Sequence, residues 1–207
     1  MKTFLLSLSI IMSSAIFAQE NKAQGILDKL SNKIKGYNSF YIEFTSSVSN
    51  SANGVNESSS GKGWVQGDKF FTTYGDNTVI SNGIKVWVIS KDDKSVYTSS
   101  ASDEDQTMNP KKLMQIWETG FKNHYVKEEG GNHIIDLFPK NPGTSQYHTI
   151  QLKINTTTNM IESVSLKMKD GTNMYYKVVK FTGNAEVSAS KFVYDKRNYP
   201  GYQEVEG

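Results

Sequence analysis

Three histidines, His124, His133 and His148, carry most of the chain's capacity to move protons or hold a metal near neutral pH. They fall in separate stretches with no H-E-x-x-H or comparable ligand spacing, so each reads as a surface or edge-strand residue. Ser145 precedes His148 by three residues, and on a strand that odd offset points the two side chains to opposite faces. Gly143-Thr144-Ser145-Gln146 lacks the second glycine of a nucleophile elbow. The acidic groups Asp92-Asp93 and Asp103-Glu104-Asp105 lack the glycine and ligand spacing of a calcium loop. The chain contains no cysteine, which excludes disulfides and thiolate metal sites. The expectation is a protein without catalysis, metal or cofactor. What remains is apolar chemistry. Trp64, Trp87 and Trp117, with Met114, Met160, Met168 and Met174, offer large or easily repacked surfaces. Burying one methylene is worth about 0.8 kcal/mol, so a chain of about 15 methylenes gains at most about 12 kcal/mol. Lost ligand freedom lowers the net affinity well below that. A cargo that must later be released suits such a broad, deformable surface better than a few strong hydrogen bonds.

These residues need elements to hold them. Ala23, Ile26, Leu27, Leu30 and Ile34 recur at i, i+3, i+4, i+7 and i+11, one face of a helix that Gly36 can end. The period then becomes two: Phe40, Ile42, Phe44, Ser46 and Val48 point one way, Tyr41, Glu43 and Thr45 the other. Ser49 to Ser60 reads as a polar turn region with Asn53-Gly54 at its tip. From Gly61 to Tyr97 short β-rich runs alternate with turns at Gly67-Asp68, Gly75-Asp76-Asn77, Asn82-Gly83 and Lys91-Asp92-Asp93. Asn82-Gly83 predicts a type I′ hairpin with both residues at positive φ. After a polar loop, Asn109 and Pro110 begin a second helical pattern carrying Leu113, Met114 and Trp117, closed by Gly120. Further strands follow at Phe121–Val126, at His133–Phe138 after Gly130-Gly131, and where His148, Ile150, Leu152 and Ile154 share a face. Ile161–Lys169, the Asp170-Gly171 hairpin, Met174–Phe181 and a short strand with Phe192 and Tyr194 complete the chain. About ten consecutive antiparallel strands must curl, and a barrel larger than about eight strands leaves an interior its own side chains do not fill. The two helices can cover it.

The first 18 residues read as a signal peptide, with Lys2 before the apolar run Phe4–Phe17 and Ala18 at the cleavage point. Residues 19–207 then form a single domain, exported to an extracytoplasmic space. The formal net charge is +2, with basic residues scattered rather than striped among aromatics, which argues against a nucleic-acid partner. No later apolar run approaches the roughly 20 residues of a membrane span.

The order of these segments resembles the LolA-like family of periplasmic carriers of outer-membrane lipoproteins. The resemblance rests on ILDKLSNKIKGYNSFYIEFT (26–45), GKGWV (61–65), ISNGIKVW (80–87), DLFPK (136–140), the KDG hairpin (169–171) and FVYD (192–195). It covers nearly all of residues 19–207 and implies an incomplete, half-open antiparallel β-barrel of about ten to eleven strands under a lid of helices. It further implies a monomeric periplasmic chaperone that binds lipoprotein acyl chains in an apolar cavity and shuttles them from the inner to the outer membrane. The partners implied are acylated lipoproteins, an inner-membrane lipoprotein-releasing ABC transporter complex and an outer-membrane acceptor. The family arginine after the tryptophan-bearing strand is absent, its place being Gln66-Gly67-Asp68-Lys69. A guanidinium fork has no close substitute in Lys69.

Alternation and resemblance together nominate Trp64, Phe70, Trp87, Leu113, Met114, Trp117, Ile150, Leu152, Val164 and Leu166 as the acyl-cavity lining. The alternatives are a periplasmic lipid-binding protein of the same fold with a different acyl or hydrophobic cargo, and a structural module whose sheet faces are closed by side chains.

Overall fold

The computed structural model describes residues 2–102 and 114–206, with side-chain surroundings from residue 19 onward. The described chain is mostly β, with twelve strands in one sheet and one α-helix. The strands are β1 (Ser39–Asn50), β2 (Val55–Gln66), β3 (Lys69–Tyr74), β4 (Asn77–Ser81), β5 (Lys85–Ser90), β6 (Ser95–Ser100), β7 (Phe121–Glu129), β8 (Asn132–Pro139), β9 (Tyr147–Asn155), β10 (Ile161–Met168), β11 (Asn173–Gly183) and β12 (Gln203–Glu206). Hydrogen bonding runs in the order β12-β6-β5-β4-β3-β2-β1-β11-β10-β9-β8-β7. The helix α1 spans Lys2–Lys35.

Several expectations need correction. The sheet has twelve strands, not ten or eleven, and β12 pairs with β6 in parallel rather than antiparallel. Two-thirds of the expected turn region is strand: Ser49 and Asn50 end β1, and Val55–Ser60 belongs to β2, whose polar side chains give no apolar alternation to read. Phe192 sits in a 3₁₀ turn, Ala189–Phe192, capped by the Ser188 hydroxyl accepting from the Ser190 amide, and not in a strand. One α-helix stands among the described residues where a lid of two was expected. Asn109, Pro110, Leu113 and the acidic residues 103–105 lie outside the described residues, and 114–117 form a turn.

The chain divides into two compact units. The first comprises Met1–Lys33, Val48–Asn56 and Trp117–Tyr175. In it, β7–β10 form an antiparallel meander, with Gly130 and Gly131 both at positive φ (58° and 75°) in the two-residue link between β7 and β8. That geometry suits a type I′ hairpin and favours glycine at both positions. One face carries two aligned rows, Asn123–Leu137–Ile150–Leu166 and Tyr125–Ile135–Leu152–Val164. Along α1, Ala23, Ile26, Leu27 and Leu30 are buried at the predicted helical spacing. Polar links tie the helix to that face: Asn123 Nδ2 donates to Gln24 Oε1 at 2.7 Å, and the Lys22 ammonium lies 3.8 Å above the Tyr125 ring.

The second unit comprises Ile34–Ser47, Glu57–Ile116 and Tyr176–Gly207. Its meander β2–β6 carries different side chains on its two faces. Val65, Phe70, Val79 and Val86 are buried on one. On the other, Ile80, Ile89 and Val96 form a core with Phe71, Trp87, Tyr194, Tyr199 and Tyr202 packed on it. The turn at Asn82-Gly83 is not type I′: Gly83 alone has positive φ (88°), and Asn82 instead accepts from the Ile84 and Lys85 amides through Oδ1. The side chain thus takes the place of a backbone acceptor, as Asn does in an Asx-turn.

Gly61 in β2 faces a crowded site. A Cβ there would lie 2.4 Å from Phe44 Cζ and 2.5 Å from the Thr73 carbonyl oxygen, and the backbone oxygen cannot yield without breaking register. Gly61→Val is expected to lose about 1–3 kcal/mol of stability through overpacking. Urea unfolding checks this, and an unchanged midpoint would show that the strands simply separate there.

Candidate functional site

The nominated lining residues divide between the two units. In the first, Ile150, Leu152 and Leu166 lie on the face that meets α1, and Ile150 and Leu152 are 0% exposed. Val164 shares the row of Leu152 and is half-buried. Trp117 is buried in the turn before β7, and its Nε1 donates to Ser31 Oγ on α1 at 2.8 Å. The helix therefore lies on a greasy face, tied down by a small number of polar contacts. Lys33 Nζ adds one more, to the Thr158 carbonyl at 2.6 Å.

In the second unit, Trp64, Phe70 and Trp87 do not share a surface. The β2–β3 register pairs Val65 with Phe70 and Trp64 with Phe71, so Phe70 points away from the two tryptophans. Phe71 pairs with Ile80, and Ile80 with Trp87, which completes a row of Trp64, Phe71, Ile80 and Trp87 on one face. Phe70 is buried on the opposite face. Met114 is buried in this unit, and Leu113 lies outside the described residues.

The tryptophan face carries a chain of rings that strand alternation did not foretell. Tyr41 and Trp64 have centroids 4.5 Å apart, and Trp64 meets Phe71 edge-on at 6.0 Å. Trp87 stacks on Tyr194 at 5.7 Å, and Tyr194 on Tyr199 at 5.7 Å. The Lys191 ammonium stands 4.0 Å above Trp64 and 4.6 Å above Phe71, within cation–π range. The C-terminal residues thus cover part of this face. Two hollows remain on it. One, of 490 Å³, includes Tyr41, Glu43, Thr45, Ser60, Lys62 and Thr73, and the other, of 340 Å³, includes Phe71, Ile80, Ser188, Lys191, Asp195 and Tyr199.

Electrostatics at these hollows is local. Tyr41 donates to Glu43 Oε1 at 2.6 Å, and burial together with that carboxylate pushes the phenol up to about 12. Arg197 holds Asp195 in a forked pair, lowering its carboxyl to about 2. Because the folded value is depressed, this pair contributes fully above about pH 4, the ordinary carboxylate range, and is lost as pH falls through 2. The stability gap between wild type and Asp195→Asn should close over that interval and shrink with added salt. A gap constant down to pH 2 would contradict the pairing.

Among the described residues no cluster of three or more His, Cys, Asp or Glu could hold a metal ion. No described helix is long and apolar enough to cross a membrane.

The described residues form one twelve-stranded sheet with a single helix packed on the apolar β7–β10 face, a mostly-β fold class. Within it, the chain belongs to the family of the outer membrane lipoprotein carrier protein LolA, whose model matches residues 35–195. A comparison with curated proteins finds no match. Among solved structures, an uncharacterized conserved protein from Thermus thermophilus is 12% identical with a TM-score of 0.55, covering 90% of this chain and 99% of its own. A DUF1329 family protein from Desulfovibrio piger is 12% identical with a TM-score of 0.48, covering 84% and 97%. A LolA superfamily protein from Nitrosomonas europaea is 10% identical with a TM-score of 0.44, covering 83% and 97%. At these identities the likeness is one of fold, and it rests on the Thermus thermophilus structure.

Proposed function

We propose that this chain is a non-enzymatic carrier that takes up the acyl chains of lipoproteins in an extracytoplasmic compartment and moves them between membranes. Residues 1–18 serve as the export signal and the periplasm is the site of action. The observation that carries the reading is the match of residues 35–195 to the lipoprotein carrier family. The first unit supplies a physical route. Acyl chains enter between α1 and the face bearing Ile150, Leu152 and Leu166, exchanging one apolar contact for another at little net cost. The Trp117–Ser31 hydrogen bond, worth about 1 kcal/mol, is weak enough to break as cargo enters. It acts within the first unit as a latch, in a chain whose stretch Gln66-Gly67-Asp68-Lys69 holds no arginine.

Loading falls to an inner-membrane ABC transporter complex and delivery to an outer-membrane acceptor. Depleting the protein in its host and following lipoproteins through membrane fractionation tests the reading. Accumulation at the inner membrane is expected, and normal sorting would overturn it. Native mass spectrometry of the purified chain separates cargo classes: co-purified diacyl peptides support the carrier, whereas free lipids alone would shift the assignment to a lipid-binding protein of the same fold.

A further inference from the structure

The row Asn123–Leu137–Ile150–Leu166 in the first unit changes chemistry at one end. Leu166, Ile150 and Leu137 are buried aliphatic residues, whereas Asn123, on the outermost strand β7, carries an amide. Adjacent strands lie about 4.8 Å apart, so three steps put Asn123 roughly 14 Å from Leu166. The amide is held in one orientation. Asp28 Oδ1 accepts from Gln24 Nε2 at 2.8 Å, and a carboxylate only accepts. Gln24 must therefore turn Oε1 to its other neighbour, where Asn123 Nδ2 donates at 2.7 Å. This relay fixes Asn123 Oδ1 on the side away from Gln24. That oxygen is buried and accepts no hydrogen bond. Among the described residues one other buried side-chain oxygen, on Asn132, shares this condition. Strand alternation puts Asn132 on the opposite face of β8 from Leu137.

We propose that Asn123 selects cargo by its head: Oδ1 accepts from an N–H or O–H group at the end of an aliphatic chain laid across β8–β10. The inference rests on the reading that acyl chains lodge under α1, and it names what their heads must carry. A buried acceptor without a donor lowers stability, and a donor brought by the cargo removes that cost on binding. An amide-linked acyl group and a hydroxyl-bearing head both carry such a donor, whereas an ester or a carboxylate has none. Two charged groups of α1 at this seam are already engaged, Asp28 by Gln24 and Lys22 by the Tyr125 ring. Because β7 ends the sheet, a head bound at Asn123 sits at the margin, where bulky attached groups can extend outward.

Titration calorimetry of the purified chain with two matched pairs of probes tests this. N-methyldecanamide and methyl decanoate differ in an N–H against an ester oxygen, and 1-decanol and decyl methyl ether in an O–H against a methylated oxygen. The donor-bearing member of at least one pair should bind about tenfold tighter than its partner. A preference in the amide pair alone assigns the head as an acyl amide, and one in the alcohol pair alone assigns a hydroxyl. Asn123→Leu should bind both members of a pair equally. Gln24→Ala, at an exposed helix position where alanine is well tolerated, should also shrink the preference, because nothing then holds Oδ1 toward the ligand. A merely structural Asn123 would lower all affinities together and leave the ratio unmoved. Equal affinities within both pairs, or a preference that survives both substitutions, would overturn selection at Asn123 while leaving acyl binding intact. Failure of all four probes to bind would remove the acyl site, and the proposal with it.

Discussion

Phe192→Ala should lower the free energy of unfolding by about 3–5 kcal/mol, the cost of emptying a filled aromatic site. Phe192 is 1% exposed although it stands in a 3₁₀ turn near the C-terminus. The turn packs on β3 and β4, and its neighbours are the anchors of the C-terminal covering. Lys191 stands over Trp64 and Phe71, and Tyr194 stacks on Trp87. Removing the Phe192 ring therefore loosens the whole arrangement on the tryptophan face, weakening the cation–π and stacking pairs along with the burial. In urea, with a slope of about 1–3 kcal/mol per molar, the midpoint should fall by one or more molar units at unchanged slope. Tryptophan fluorescence reports the event directly through Trp64 and Trp87. A loss below about 1 kcal/mol would show that the C-terminal segment rests on the sheet without supporting it.

Leu152→Ala should cost about 2–5 kcal/mol. Leu152 is fully buried in the row Tyr125–Ile135–Leu152–Val164, with Ile150 fully buried two residues away on the same face. The space left is lined by aliphatic groups and offers water no partners, so it stays dry and nothing replaces the missing side chain. Val164→Ala, one strand away in the same row but half-buried, is the comparison. It removes less carbon from a site already partly wet, and its cost should be less than half that of Leu152→Ala. Equal costs would mean that α1 does not seal the face at Leu152.

Much of this was legible in the residues themselves. The i, i+3, i+4, i+7 set Ala23, Ile26, Leu27 and Leu30 is buried, and so are alternate residues of β9, Ile150, Leu152 and Ile154. The family assignment is likewise upheld, by the match over residues 35–195. The failures have physical causes. Val55–Ser60 is a strand with no apolar face, so periodicity has nothing to detect. β12 is four exposed residues whose place is set by pairing with β6 and by Glu204 bonding to Lys196 and Tyr194, none of them local in pattern. Asn82 carries a turn through its side chain, which makes the same dipeptide serve a different geometry.

The grouping of Phe70 with Trp64 and Trp87 is the most instructive. A two-residue turn at Gly67-Asp68 pairs Gln66 with Lys69 and Val65 with Phe70, which leaves Phe71 opposite Trp64. Counting outward from the turn already separates Phe70 from the tryptophans. The ring chain from Trp87 through Tyr194 to Tyr199 could not be found that way. It depends on residues far apart in sequence meeting across a folded segment.

The central claim is that hydrocarbon chains lodge between α1 and the β8–β10 face. Isotope-filtered NMR on methyl-labelled protein with a diacylated peptide observes that contact atom by atom. Nuclear Overhauser effects from acyl methylenes to the methyls of Leu30, Ile150 and Leu152 are predicted, with the Trp117 indole N–H resonance shifting as its bond to Ser31 opens. A bound peptide whose acyl protons reach none of those methyls, with the Trp117 signal unmoved, would contradict the account.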